Sequence, residues 1–210
     1  MKRGFDIFFS AVGLILLLPL LLWIMWRIRR EDGGPVFYRG LRVGFHGRPF
    51  RIFKFRSMVV DAEKIGASST ANEDPRITRI GRLLRKYKLD ELPQLINVFW
   101  GDMSFVGPRP EVQQFTDMYT DQEKVILNVR PGITDWASIW NSDEGSLLAG
   151  AEDPDQAYME LIRPTKLKLQ LKYVQEQSFF IDLKIILLTL LSILRPQNRL
   201  VLKFKQGLGC

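Results

Sequence analysis

Residues 7–26 read IFFSAVGLILLLPLLLWIMW, twenty positions without a charge. As a straight helix they would cover about 30 Å, the thickness of a bilayer core. A cleaved signal peptide fits poorly: no small-x-small site follows, and Arg27, Arg29 and Arg30 come at once. A soluble core helix with no polar face would need protein on every side, so the stretch reads as membrane-inserted. Pro19 lies inside it, lacks an N–H and clashes with the preceding turn, so a break or kink is expected there. Lys2 and Arg3 precede the stretch, and basic flanks on both sides prefer the cytoplasm. Two arrangements satisfy these residues: a helix that dips in, bends near Pro19 and returns, or a kinked helix that crosses. In both, the arginine side carries the rest of the chain into the cytoplasm. Trp23 and Trp26 suit an interfacial belt or packing against that domain.

The charge of the whole chain follows the same geography. Net charge is +7 over 210 residues, yet residues 1–60 hold 11 Lys/Arg against 3 Asp/Glu, and the remainder is close to neutral. A basic excess points to nucleic acid, a phosphate-bearing small molecule or an anionic membrane surface. Much of it flanks the apolar stretch, which accounts for it without nucleic acid, so no nucleic-acid partner is expected. The single cysteine, Cys210, permits no internal disulfide, and the single histidine, His46, leaves any metal to oxygen ligands. The length suits one catalytic-sized domain with a real core.

Downstream, Pro35–Met58 reads as a β-hairpin. VFYRGLRVG and RPFRIFKFRSM are rich in Val, Ile, Phe and Tyr, and GFHGR is the turn. The second arm alternates Phe50, Phe53 and Phe55 with Arg51, Lys54 and Arg56, either a solvated cationic edge or a phosphate-facing strand. A short helix is expected over Val59–Ile65, then a polar loop. Residues 74–89 read as a helix burying Ile77, Ile80, Leu83 and Leu84, with Arg76, Arg79, Arg82, Arg85, Lys86 and Lys88 outside.

That cationic helix runs into KLDELPQL, residues 88–95. Leu92, Leu95, Ile96 and Phe99 share a helical face, and Gly101 is a plausible stop. Locally, Asp90 reads as the helix N-cap, Glu91 as a first-turn acid and Pro93 as a tolerated proline. In GDMSFVGPRPE (101–111), Pro108 and Pro110 stiffen the backbone around Arg109, which suits a bidentate phosphate contact. RPGITDW repeats the pairing of a cation, Arg130, with Pro and Gly. Residues 137–158 read as an acidic loop, 161–176 as a helix, and 178–195 as a helix suited to an interface or a core. The basic tail, 196–210, alternates cations with apolar residues and suits lipid contact.

In this order, FYRGLRVG, FRIFKFRSM, DPRITRIGRLLRKYKLDELPQLINVFWGDMSFVGPRPE and RPGIT, behind an apolar N-terminal segment, resemble the bacterial sugar transferase family of small monotopic phosphoglycosyl transferases. The resemblance covers about residues 1–195. It implies an α+β, mostly helical monotopic membrane protein with a small hairpin and amphipathic interfacial helices. Residues 1–30 would be a re-entrant helix broken near Pro19, 31–195 a cytoplasmic catalytic domain, and 196–210 a tail. It implies transfer of a sugar 1-phosphate from a UDP-sugar to undecaprenyl phosphate at the bacterial inner membrane, releasing UMP and starting a surface glycan. Downstream membrane glycosyltransferases would follow in assembly. The family's Asp-Glu dyad falls on Asp90 and Glu91, and its phosphate-binding arginine on Arg109. Asp90 would attack the β-phosphorus and carry a phosphosugar. It would share Mg2+ with the substrate diphosphate, while Glu91 assists through the metal or as a proton acceptor.

Anion must meet anion in such a reaction, so cations are needed beside Asp90. Arg85, Lys54, Arg56, Arg76 and Arg130 are the further candidates for substrate contact. Two departures stand out. The break has Leu18-Pro19 where members more often have Ser-Pro, and DWASIWNSDEG follows RPGIT where many have Gly-Leu-Ala-Gln-Val-Asn-Gly. Contacts in that loop are not carried over. A non-catalytic scaffold of the same fold is the alternative; intact Asp90, Glu91 and Arg109 argue against it.

Overall fold

One helix, α1 (Lys2–Asp32), takes in the apolar stretch together with both basic flanks. The helix runs on through Pro19, so the expected break is not an interruption of the helical run. Gly33, in the left-handed region at φ 70°, ends it by donating to Arg29 O. The computed structural model describes residues 1–65, 73–141, 144–194 and 207. The expected tail therefore lies outside the described residues, apart from Gly207.

Leu21, Ile24 and Ile28 bury one stripe of α1 against Phe55, Ile80 and Leu84. Ile15 and Leu16 are more than 70% exposed, and Trp23 and Trp26 also stand outside. The guanidinia of Arg27 and Arg30 lie over those two indole rings, at 6.0 and 5.1 Å. An apolar face this large, rimmed by arginines and tryptophans, suggests membrane association.

Both ends of α1 are tied to the same body. Lys2 Nζ donates to Val106 O at 2.8 Å and pairs with Asp182 at 2.8 Å. Arg3 Nη2 donates to Phe99 O at 2.8 Å, and Asp6 accepts from Ser104 Oγ and Phe105 N at 3.2 Å. At the far end Glu31 accepts from Arg79 N at 2.8 Å, and Asp32 holds the Arg56 guanidinium through both oxygens.

The hairpin forms as two antiparallel rungs. β1 (Phe37–Tyr38) pairs with β4 (Lys54–Phe55), and β2 (Leu41–Val43) with β3 (Pro49–Arg51). The turn is a tight helical one over Phe45–Gly47, with His46 at φ 55°. Between the rungs Phe53 N leaves the ladder and donates to Asn97 Oδ1 at 2.8 Å.

The following helices are shorter than the periodicity predicts. Val59–Ile65 contracts to one tight turn, Ala62–Lys64. The 74–89 helix starts late, as α2 (Arg79–Lys86), because Asp74 folds back onto Arg76 and Thr78 caps the start by accepting from Gly81 N at 3.0 Å. Leu83 points outward, 41% exposed, against expectation. Lys88 then enters the left-handed region at φ 55°, and Leu89–Glu91 form a tight turn ahead of α3 (Gln94–Trp100). Asp90 is consequently not an N-cap: Pro93 holds that position and makes no side-chain cap. The buried face of α3 is Gln94, Leu95, Asn97 and Val98, with Phe99 exposed, and Gly101 at φ 95° ends the helix as expected.

β5 (Ser104–Val106) and β6 (Gly132–Thr134) form a parallel pair that periodicity did not reveal. Short helices follow: α4 (Gln113–Thr116), α5 (Trp136–Trp140), α6 (Glu144–Leu147) and α7 (Pro154–Ala157). Three of them fall in the stretch expected to be an acidic loop. A wide turn over Tyr158–Ile162 leads into α8 (Arg163–Glu176), and α9 (Phe179–Leu194) closes the described chain. The core under β5 is Val106, Trp136, Ile139, Leu169, Tyr173 and Ile185.

Candidate active site

Two short pieces of chain converge on the turn that carries Asp90 and Glu91. β4 brings Lys54, whose Nζ donates to Glu91 Oε1 at 2.8 Å. The loop after β5 brings Arg109, whose Nη1 donates to Glu91 Oε2 at 3.1 Å while Nη2 meets Oε1. Burial alone would push the Glu91 carboxyl up. Arg109 and Lys54 outweigh it and hold the group well below the usual carboxylate range.

Asp90 is buried too but lacks such partners. It is 8% exposed, and its Oδ1 is buried with no hydrogen-bond partner. Burial pushes its carboxyl above the ordinary aspartate value. Lys54, Arg85 and Lys88 pull the other way, and the Glu91 charge adds to the rise. The side chain is therefore an under-solvated carboxylate among three cations, one of them shared with its neighbour. Gln94, one helical turn on, is buried too, and neither atom of its amide is hydrogen-bonded.

The fold of the Arg109 loop explains its glycines. A Cβ on Gly107 would come within 2.2 Å of Arg130 O, and one on Gly132 within 2.1 Å of Gly107 N. The two Pro/Gly motifs thus cross at van der Waals contact, and only glycine fits either side. Asp135, fully buried at the start of α5, accepts from Ser138 N at 2.7 Å and from Arg109 N at 3.3 Å.

The other predicted contacts divide. Arg85 and Lys54 face the dyad. Arg56 is buried and committed to Asp32, Arg76 grips Asp74 at 2.7 Å, and Arg130 donates to Gly101 O at 3.0 Å with its guanidinium over Phe45. All three have protein partners here. Pro19, Trp23 and Trp26 all lie on α1, which packs against Leu89 and Leu92 on either side of the dyad through Leu21, Ile24 and Ile28. Asp135 and Asn97 were missed as site-builders, whereas Lys88, at the end of the cationic helix, acts on Asp90 as its place in the sequence suggests. Only Asp135 carried a local sign, an Asp three residues before a serine at a helix start.

No group of three or more His, Cys, Asp and Glu residues suited to a metal occurs among the described residues. Within the dyad a hard cation such as Mg2+ would find the Asp90 carboxylate, whose Oδ1 has no hydrogen-bond partner, since both Glu91 oxygens carry cations. That fits Mg2+ held by one carboxylate plus substrate phosphates, the usual arrangement for this ion.

Comparison with known proteins identifies the family. A model of the bacterial sugar transferase family matches residues 1–196. The undecaprenyl-phosphate glucose phosphotransferase of Komagataeibacter xylinus is 40% identical over 196 residues, covering 90% of this chain and 35% of the relative. The UDP-glucose:undecaprenyl-phosphate glucose-1-phosphate transferase of Escherichia coli (strain K12) is 38% identical, covering 90% of this chain and 39% of the relative. The chain thus spans little more than a third of these two. It spans 87% of the sugar transferase EpsL of Bacillus subtilis (strain 168), which is 36% identical over 194 residues. The match runs from the membrane-type helix through the dyad turn and the Arg109 loop to the end of α9, and the chain belongs to the bacterial sugar transferase family.

Proposed function

We propose that the protein transfers a sugar 1-phosphate from a UDP-sugar to undecaprenyl phosphate. The observation that carries this is the contrast within the dyad: an ion-paired Glu91 beside an Asp90 with one oxygen uncommitted. In the first step the Asp90 carboxylate oxygen bonds the β-phosphorus as the bridging P–O bond breaks, and UMP departs with its electron pair. The acceptor phosphate oxygen then bonds the same phosphorus, the acyl–phosphate bond breaks, and Asp90 is restored as a carboxylate. Lys54, Arg85 and Lys88 offset the charge of a dianionic donor meeting an anionic nucleophile.

Glu91 is a poor proton acceptor when held so far down in pKa, which favours a different task. It holds Arg109 and Lys54 at the dyad until substrate phosphates take over those cations. Mg2+, when bound through Asp90 and diphosphate oxygens, would neutralise leaving-group charge.

The same reading places the domain on the cytoplasmic face of the bacterial inner membrane, with α1 entering and leaving on one side. The ties at both ends of α1 to a single domain support it. The deciding experiment measures UMP release from a panel of UDP-sugars with undecaprenyl phosphate and Mg2+. Release dependent on acceptor with at least one sugar supports the proposal, and no release with any sugar overturns it.

A further inference from the structure

α8 packs its inner face against the Arg109 loop, and that face is not apolar throughout. Lys166, Gln170 and Tyr173 stand at i, i+4 and i+7, one stripe of the helix, and all are buried. Each meets a different point of the segment 106–111. Lys166 Nζ pairs with Glu111 at 2.7 Å. Gln170 Nε2 donates to Arg109 O at 3.4 Å and to Asp135 Oδ2 at 3.3 Å. The Tyr173 hydroxyl accepts from Lys2 Nζ at 2.7 Å and lies 2.7 Å from Asp182 Oδ1 and 3.2 Å from Val106 O, while Lys2 Nζ itself donates to Val106 O at 2.8 Å, so this corner is held through Lys2.

Burying three polar side chains on one helix face is costly, the more so here because Gln170 Oε1 has no hydrogen-bond partner, and apolar residues of similar volume would pack such a core as well. The stripe therefore has a use other than filling space. With Pro108 and Pro110 fixing φ on either side, three anchor points leave the Cα of Arg109 little freedom. We propose that Lys166, Gln170 and Tyr173 are positioning residues for Arg109: the polar stripe of α8 holds segment 106–111 in place and so aims the guanidinium at Glu91. The frame ends at Lys2, so the first turn of the apolar helix and the arginine loop share one set of bonds. This rests on the proposed donor reaction only in giving Arg109 a diphosphate to hold.

The test uses the full-length protein in lipid nanodiscs with Mg2+, and UDP as the probe. Gln170→Leu is expected to weaken UDP binding roughly tenfold, the scale of one misplaced charged contact. On an Arg109→Met background the same change should add nothing, since Gln170 acts through Arg109. A general loss of folding would lower the binding-competent fraction and leave the affinity unmoved. Amide hydrogen exchange supplies a second readout: Gln170→Leu and Tyr173→Phe should speed exchange at 106–111. Equal weakening with and without Arg109, or unchanged exchange at 106–111, overturns the frame. A wild-type protein that does not bind UDP counts against the donor assignment, and exchange at 106–111 then decides the frame by itself.

Discussion

Glu91 and Arg109 meet as a two-point ion pair, carboxylate to guanidinium, and Lys54 closes on the same carboxylate at 2.8 Å. The next residue back, Asp90, has an oxygen with no hydrogen-bond partner at all. Two adjacent acids are thus set apart by environment, one neutralised and one left reactive. Asp90→Asn keeps the size and removes the nucleophile. Transfer should fall by at least roughly a thousandfold, the scale of nucleophile removal, with membrane association retained. Labelled sugar-phosphate should accumulate on the wild-type protein when acceptor is omitted, and not on the variant. Near-normal turnover of Asp90→Asn would remove Asp90 from the mechanism.

The pH dependence follows from the same contrast. Asp90 has its carboxyl raised by burial, so its charged form is disfavoured in the folded state. As pH rises, the unfolded chain loses this proton first, and the folded state loses stability across the window between the two pKa values. Asp90→Asn should therefore melt higher than wild type at neutral pH. The difference should vanish below the ordinary aspartate pKa, where both forms are uncharged. The acid limb of the transfer rate should lie above the ordinary aspartate range, because only ionised Asp90 attacks. Glu91, held low, has its stabilising pair intact across neutral pH and loses it only as pH falls through its depressed pKa. An acid limb retained in a Glu91→Gln variant would assign the titration to Asp90; its disappearance would assign it to Glu91.

Much of this was legible from local chemistry and some was not. The apolar run, the GFHGR turn and Gly101 announced α1, the hairpin and the end of α3, since each depends on residues close in sequence. Asp90 as an N-cap failed because Lys88 adopts a left-handed backbone and inserts a tight turn, which no propensity for lysine foretells. Arg56, Arg76 and Arg130 were candidates for substrate contact because a cation in an aromatic strand, on a cationic helix or beside Pro and Gly reads the same in either role. In the structure they bond Asp32, Asp74 and Gly101 O. For Arg56 and Arg130 those partners are distant in sequence. The parallel pairing of β5 with β6 was invisible for a similar reason: three-residue strands carry too little alternation to read.

The crossing of the two Pro/Gly motifs gives a test that does not depend on chemistry. At Gly107 a Cβ would sit 2.2 Å from Arg130 O, against backbone that cannot swing aside. Gly107→Ala should cost about 3 kcal/mol or more in unfolding free energy, the upper range for overpacking. Gly4→Ala, where nothing lies within 4 Å of the new methyl, should be close to neutral. Thermal unfolding of both in the same detergent compares them. Equal melting temperatures would contradict the close approach.

Asn97 ties the hairpin to α3. Its Oδ1 accepts from Phe53 N at 2.8 Å, and its Nδ2 donates to Arg51 O at 3.0 Å and to Asp102 at 3.2 Å. Asn97→Ala would strand a buried backbone N–H and should destabilise the fold by about 2–3 kcal/mol. Because Lys54 follows Phe53, the donor KM should rise as well, which denaturant unfolding and steady-state kinetics read separately. A variant with normal stability and a normal KM would show that the hairpin holds its place without this bond.

The course of α1 is the last point open to direct test. A straight helix of 31 residues is about 46 Å long, more than a bilayer core. A simple crossing would leave its two ends on opposite sides. Yet Lys2 is bonded to Val106 and Asp182, and Glu31 to the start of α2, in one domain. Those bonds can all hold only if both ends are on the same side. Pro19, sitting among the exposed Ile15, Leu16 and Leu18, is where a bend would turn the chain back. Gly4→Cys and Arg48→Cys, each at an exposed position and each on a Cys210→Ser background, report the two sides. A membrane-impermeant maleimide should label both in inverted inner-membrane vesicles and neither in intact spheroplasts. Labelling of Gly4→Cys from outside would mean that α1 crosses, and the contacts of Lys2 with Val106 and Asp182 would then have to be absent in the membrane.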